Sequence, residues 1–208
     1  ILGCPSQITL VTANQIFIPI ACLPSQLLAR LKRLATFSNP AFFKTQALRF
    51  STQGIPRHIS CARIEKDFLC LPRGCHDEVE LLLKKQGIDV GFQDHRFAGE
   101  KFVSIQFQGE LRADQRKAVN VMLQHDTGVL HAPTAFGKTV AAIGIIVERK
   151  VNTLILVHSK ELVTQWQERL KSFIQGVEIG VIHGGKRKPS GDIDVATYQS
   201  LLSRKDNT

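Results

Sequence analysis

Residues able to do chemistry concentrate between His131 and Val140, which read His-Ala-Pro-Thr-Ala-Phe-Gly-Lys-Thr-Val. The apolar run Thr127 to His131 before them reads as a short buried strand. Val140, Ala141, Ala142, Ile143, Ile145, Ile146 and Val147 after them read as a proline-free apolar helix. Between a strand and a helix, successive backbone N–H groups can point inward and the helix N-terminus adds partial positive charge. A loop there holds phosphate by its main chain. Gly137 permits close backbone approach. Lys138 would set its ammonium between the outer phosphates, and the Thr139 hydroxyl would ligate the magnesium bridging them. The implied ligand is a nucleoside triphosphate with Mg2+. Against the pattern G-x-x-x-x-G-K-S/T, Ala132 replaces the first glycine, and Ala135 stands where many such loops carry another. An alanine forced to positive φ is strained. Either the backbone at these positions is ordinary, or the loop is distorted and binds nucleotide less well.

Two α/β segments must position this loop. In residues 1–100, Ile8 to Ile20 is β-rich, and Leu27, Leu28, Leu31, Leu34 and Ala35 recur at helical spacing in a helix ending near Ser38 and Asn39. Pro40 begins a short helix, Arg57 to Ala62 and Phe68 to Leu71 read as strands across a polar hairpin, and Asp77 to Gln86 as a helix capped by Gly87 before a strand at Asp89 to Gln93. From residue 101 onward the expected order is a strand through Val103, Ile105 and Phe107, a helix (Asp114 to Gln124), the 127–131 strand and loop helix, a strand (Thr153 to His158), a helix (Ser159 to Phe173), a strand (Glu178 to Ile182), a loop and a strand (Ile193 to Thr197). This alternation predicts a parallel sheet covered by helices. The expected fold class is therefore α/β, with a small accessory domain over 1–100 and a larger sheet domain over 101–208.

A hydrophobic fraction of 43% in 208 residues suffices for buried cores. The net charge of +9 is spread: residues 1–105 carry 13 basic and 8 acidic side chains, the remainder 14 and 10. Basic halves favour a polyanionic partner, because lysine and arginine gain affinity by releasing phosphate counterions. No apolar run approaches the roughly 18 residues of a membrane span and no charged segment precedes a signal-like core, so a cytoplasmic protein is expected. Cys4, Cys22, Cys61, Cys70 and Cys75 are odd in number and irregular in spacing, which suits reduced thiols. Cys61, Cys70, Cys75 and His76 lack the C-x-x-C knuckle and read as small buried residues, with no metal site expected.

Four ordered stretches over residues 106–203 resemble the first motor domain of superfamily 2 helicases, in the XPB-like group that includes type III restriction-enzyme res subunits. Leu111-Arg112-Ala113-Asp114-Gln115 is similar to the glutamine motif L-R-x-x-Q, and Ala132 to Thr139 to motif I, with Pro133 and Thr134 in its A-P-T opening. Leu154 to Trp166 is similar to motif Ia. Ile182 to Ser200, with Gly184, Gly185, Lys186, Arg187 and Lys188 followed by Thr197 to Gln199, is the fourth match. The stretches Asn39 to Arg49 and Cys70 to Cys75 look like the region preceding the helicase in motors of TOTE-type mobile-element conflict systems.

The resemblance implies a P-loop, RecA-like domain. It places ATP on Arg112, Gln115, Pro133, Thr134, Ala135, Phe136, Gly137, Lys138 and Thr139, with the Gln115 amide reading adenine, Lys138 and Thr139 in the catalytic machinery, and Thr139 on Mg2+. It puts DNA, single-stranded or duplex, on Ser159, Lys160, Gly184, Gly185, Lys186 and Thr197 through backbone phosphates. Gln165 and Trp166 are read as packing residues. In relatives the small α/β unit contacts DNA, which makes Lys44, Arg49, Arg57 and Arg73 candidates. The family's D-E-x-H motif II is expected downstream of Ser200, and Asp192 and Asp194 are not taken as catalytic. A second motor domain is expected downstream as well, so this chain alone should bind ATP weakly and not hydrolyse it. The competing reading is a nucleic-acid-binding module with a vestigial phosphate loop; a nucleotide kinase would leave Gln115 and the basic Gly184 segment without a role.

Overall fold

Alternating apolar residues build the first unit. In the computed structural model, which describes residues 4–21, 23–102 and 104–202, the chain divides into two units, 1–97 and 98–208. Strands β1 (Gln7–Thr12) and β2 (Ile16–Pro19) turn Ile8, Leu10, Ile16 and Ile18 inward, as period-two alternation requires. Helix α1 (Ser25–Leu34) is followed by β3 (Thr36–Ser38), α2 (Pro40–Ala47), β4 (His58–Ser60), β5 (Arg63–Glu65) and β6 (Phe68–Leu71). A 3-10 turn at Arg73–Cys75 leads to α3 (His76–Lys84) and β7 (Asp89–Asp94). The five-stranded sheet runs β5-β6-β2-β1-β7, with β1 and β7 parallel and the other pairs antiparallel. Leu27 and Leu31 of α1 and Val79 and Leu83 of α3 are buried in one cluster with Leu10, Ile16, Ile18, Leu69 and Leu71.

Three expectations for this unit are corrected. Helix α1 stops at Leu34 instead of near Ser38, because the Thr36 hydroxyl bonds the Lys32 carbonyl and the Ala35 carbonyl accepts from Cys61 N. The chain then leaves as β3, which pairs with β4 in a separate ribbon. The hairpin partner of β6 is β5, not the Arg57 to Ala62 strand, since Lys66 takes a left-handed φ of 52° and closes a tight turn between Glu65 and Phe68. Cys70 and Cys75 are buried as expected, but Cys61 is exposed and Cys22 lies outside the described residues. Burial first, then the charges of Glu65 and Glu78 respectively, pushes the Cys70 and Cys75 thiols up, which keeps them protonated.

The second unit comprises β8 (Gln106–Phe107), α4 (Ala113–Leu123), α5 (Lys138–Arg149), β9 (Thr153–Val157), α6 (Lys160–Phe173), β10 (Ile174–Gln175), β11 (Ile179–His183), β12 (Lys186–Lys188), β13 (Ile193–Thr197) and α7 (Tyr198–Leu202). A mixed sheet runs β12-β11-β13-β9, in which β11, β13 and β9 are parallel and β12 is antiparallel; β8 and β10 form a separate antiparallel pair. Ile143 and Ile146 of α5 and Val163 and Leu170 of α6 pack with Val157, Val181, Ile193 and Val195. Gly144 lets α4 and the preceding loop approach α5, because a methyl group there would stand 3.0 Å from Leu111 Cδ1 and 3.4 Å from Val119 Cγ2.

Three further differences concern this unit. Residues 127–131 form no strand: the segment has no ladder partners among the described residues, and Val129 is 92% exposed. Apolar composition favours a strand only where neighbours satisfy its N–H and C=O groups, and β9 is a sheet edge with no strand beyond it among the described residues. The basic segment expected as a loop is strand β12, turned back on β11 by Gly184 and Gly185, both at positive φ, the two-residue hairpin geometry that favours glycine. The expected 103–107 strand is represented only by Gln106–Phe107; Val103 lies outside the described residues. Among the described residues no helix is long and apolar enough to cross a membrane, and no group of three or more His, Cys, Asp or Glu could hold a metal ion.

Candidate functional site

Gly137 stands at φ 79°, ψ 43° immediately before α5, and no side chain caps that helix. Its first-turn N–H groups therefore lack the usual partner and face the loop, the arrangement an anion needs. Ala135 also adopts a left-handed backbone, φ 67°, whereas Ala132 is not among the positive-φ residues. Of the two glycine replacements, only the one at 135 stores strain. The Lys138 ammonium donates to the carbonyls of Ala132 at 2.8 Å and Pro133 at 3.1 Å, folding the lysine over the arch of its own loop. Phosphate oxygens would compete for this ammonium as stronger, charge-assisted acceptors. Thr139 lines a cleft with Leu162, Gln165, Trp166, Arg169 and Ser172, toward α6.

Left-handed alanine costs about 1–2 kcal/mol, and glycine's extra freedom in the unfolded chain returns about 0.4–1 kcal/mol of that. Ala135→Gly is accordingly expected to stabilise the second unit by up to about 1 kcal/mol. Urea denaturation checks this; a lowered midpoint would show Ala135 to be unstrained.

The loop is tied down from α4. The Phe136 carbonyl accepts from Gln115 Nε2 at 2.9 Å and from the Arg112 guanidinium, while Gln115 Oε1 accepts from Arg112 N at 3.1 Å. Gln115 is only 4% exposed. A methyl group on Gly137 would lie 2.5 Å from Gln115 Nε2, so glycine at 137 serves this clamp as well as the turn. Arg112 also pairs with Asp114, 3.3 Å away; burial opposes and the Arg112 hydrogen bond favours ionisation of that carboxyl, which is lowered on balance. Pro133 and Thr134 are exposed in the loop.

The parallel strands β9, β11 and β13 all end on one edge, where Val157 lies opposite Thr197 and Ile182 opposite Ala196. Thr197 is buried and its hydroxyl meets that of Ser200 at 2.8 Å; Ser200 Oγ accepts from Gly184 N at 3.2 Å. Gln199 Nε2 donates to the His158 carbonyl at 3.1 Å. The structure thus joins Gly184, Thr197 and the start of the α6 turn into one network, with Gly184, Gly185, Lys186 and Arg187 lining an open cleft beside Gln199. Ser159 Oγ is used as the α6 cap, accepting from Leu162 N at 3.4 Å, and Lys160 is exposed beside it. The Glu161 carboxyl in the same turn is lowered by backbone hydrogen bonds and the Ser159 hydroxyl, so it places a negative charge next to any phosphate bound there. Trp166 packs partly buried in the core, in line with its reading from sequence, while Gln165 is exposed.

Sequence reasoning placed Ser200 and Gln199 in the fourth match without giving either a role, and missed the Phe136 carbonyl. Only the i, i+3 spacing of Thr197 and Ser200 hinted at the first; a backbone acceptor leaves no trace in side-chain types. His183 is new: its ring Nδ1 is buried without a partner among the described residues, at the root of the Gly184 turn. Asp192 and Asp194 are structural. Asp194 accepts from Ser190 N at 2.7 Å and Gly191 N at 3.2 Å, and Asp192 from Glu178 N at 2.9 Å.

Residues 108–208 match the family of type III restriction enzyme res subunits. A DNA 3'-5' translocase XPB2 of Sulfurisphaera tokodaii is 40% identical over 95 residues, 46% of this chain and 21% of the relative. A putative DNA 3'-5' helicase Rad25 of Halobacterium salinarum is 40% identical over 93 residues, 44% of this chain and 15% of the relative. The second unit resembles the XPB-like helicases of superfamily 2. Putative helicase 109L of Invertebrate iridescent virus 3 is 36% identical over 90 residues, 43% of this chain and 27% of that protein. The chain therefore spans about a fifth of the length of the curated relatives it matches, and the XPB-like segment coincides with the unit holding the loop and the strand edge.

Proposed function

We propose that the second unit is the nucleotide-binding part of an ATP-dependent DNA helicase or translocase with a RecA-like, P-loop domain. The observation that carries this reading is the loop itself: an uncapped helix N-terminus, left-handed Ala135 and Gly137, and a lysine ammonium already over the arch. ATP binds with its outer phosphates on the N–H groups of residues 135–139 and on Lys138, which gives up the Ala132 and Pro133 carbonyls. The Thr139 hydroxyl would hold Mg2+, which would supply positive charge to neutralise the phosphates. Arg112 and Gln115 lie at the adenine side, joined to the loop through Phe136. The strand edge bearing Ser159, Lys160, Gly184, Gly185, Lys186 and Thr197 holds a DNA backbone by phosphate contacts, which carry no sequence information. Hydrolysis and movement belong to the longer protein, with a second motor domain closing the nucleotide; this chain alone binds ATP weakly and does not turn it over.

One observation favours a second reading, a DNA-binding module with a vestigial loop: strained Ala135 and a lysine satisfied by its own carbonyls both lower nucleotide affinity. Titration of a fluorescent ATP analogue with Mg2+ decides between them. Saturable binding is expected, weakened about 10-fold to 100-fold by Lys138→Ala, since a hydrogen bond to a charged group contributes roughly 1.5–3 kcal/mol. Equal binding by the two chains would favour the vestigial loop.

A further inference from the structure

Cys61, Cys70 and Cys75 fall in a stretch of the first unit that the nucleotide reading does not use, and two of them meet where α1 ends. Cys61 follows directly on β4, and its N–H donates to the Ala35 carbonyl at 2.8 Å, one step beyond the last ribbon pair, Thr36 with Ser60. Cys75 closes the 3-10 turn, and its thiol donates to the Leu34 carbonyl at 3.8 Å. Leu34 and Ala35 are neighbours in the chain, and neighbouring Cα atoms lie about 3.8 Å apart. The two tethers therefore gather the cysteines at adjoining peptide groups.

The sheet gives the same placement by a separate route. Strands β5 and β6 pair with Arg63 opposite Cys70. Continued two residues, that antiparallel register sets Cys61 against Pro72, whose carbonyl accepts from Cys75 N at 3.0 Å. Cys70 itself lies between Phe17 and Arg63 inside the sheet and is fully buried. Cys61 is exposed and Cys75 buried, so one thiol meets solvent and the other waits behind it. Burial first, then the charge of Glu78 and then that of Cys61, pushes the Cys75 thiol up. A charge on Cys61 is thus felt at Cys75.

An exposed thiol backed by a buried one is the arrangement that exchanges with a disulfide and then closes on itself. We propose that Cys61 is a thiol–disulfide exchange site for small disulfides such as oxidised glutathione, with Cys75 resolving the adduct into an internal Cys61–Cys75 disulfide. The Cys61 thiolate, its proton given to solvent, attacks one sulfur of oxidised glutathione. That S–S bond breaks, and one glutathione leaves as a thiolate and takes up a proton. The Cys75 thiolate, formed in the same way, attacks Cys61 Sγ, the mixed disulfide breaks, and the second glutathione leaves. Two protein thiols are oxidised and one glutathione disulfide is reduced to two thiols. The new bond clamps the base of the β3-β4 ribbon to the turn that opens α3. The inference does not rest on the motor reading, because both cysteines lie outside the helicase-family match at 108–208.

The test uses the whole chain, reduced, freed of reductant and incubated with oxidised glutathione, after which remaining thiols are blocked with N-ethylmaleimide. Trypsin cuts after Arg57, Arg63, Lys66, Arg73 and Lys84, which leaves Cys61, Cys70 and Cys75 on separate peptides, 58–63, 67–73 and 74–84. Mass spectrometry is expected to find 58–63 joined to 74–84, with Cys70 carrying maleimide. The bond closes a loop of about 15 residues, and the linked chain is expected to melt about 5 °C or more above the reduced one. In Cys75→Ser, glutathione is expected to stay on Cys61; in Cys61→Ser, Cys75 should escape modification. An unreacted chain, glutathione retained on Cys61 of the unaltered chain, a bond from Cys61 to Cys4, Cys22 or Cys70, or a dimer joined through Cys61 would each overturn the proposal. So would a lowered melting temperature of the linked chain, because the bond would then form only from a distorted fold. The deciding readout comes from the unaltered chain and does not depend on how well either variant folds.

Discussion

Gly176→Ala is expected to destabilise the second unit by about 3 kcal/mol or more, through two penalties that add. Gly176 has φ 87°, and a left-handed alanine costs about 1–2 kcal/mol. A methyl group at this glycine would also sit 2.2 Å from the Ser104 carbonyl oxygen, a backbone atom that the Ser104 hydroxyl bond to the Gly176 carbonyl holds in place at 2.9 Å. Overpacking of this kind typically adds about 1–3 kcal/mol. Gly191 supplies the control, with the same φ of 87° and nothing within 4 Å of the added methyl. Gly191→Ala should cost only the backbone term less the entropy lost by the unfolded chain, up to about 1 kcal/mol. Chemical denaturation of both variants gives the difference; equal losses would mean that the Ser104 contact relaxes freely and that the segment before β11 is softer than its hydrogen bonds indicate.

Gln115→Ala is expected to cost about 2–3 kcal/mol and to loosen the loop before α5. Removal of the amide strands the Arg112 N–H near a buried site, a penalty of about 1–3 kcal/mol, and it takes one of two donors from the Phe136 carbonyl. The variant also distinguishes two roles for the glutamine. If the amide reads adenine, the preference for ATP over GTP analogues should vanish while residual binding persists. If it serves only as the clamp seen here, both affinities should fall together. Nucleotide titrations of the variant with the two analogues check this, and unchanged affinity for both would remove Gln115 from the site.

The sequence by itself determined which residues are chemically equipped and much of the local structure. Leucines at helical spacing in α1, alternating isoleucines in β1 and β2, and the Gly-Lys-Thr turn into α5 are encoded within short windows, where side-chain period and backbone preference suffice. The same holds for the helicase-family motifs, whose order along 106–203 is visible without coordinates.

Tertiary structure decided the rest. Thr36 and Phe37 leave a helical pattern because β4, more than twenty residues away, pairs with them. Lys186 to Lys188 pair with β11 as a strand because two glycines can both take positive φ. Residues 127–131 have strand composition but no neighbouring strand to meet their backbone groups among the described residues, and all but the half-buried Leu130 stay exposed. Gln115 looks like a free amide in sequence, yet the Phe136 carbonyl, twenty-one residues on, occupies it. For β3 and for Gln115 the deciding partner is a backbone group distant along the chain, and backbone groups are the same at every residue, so side-chain identity carries no record of them until the chain folds.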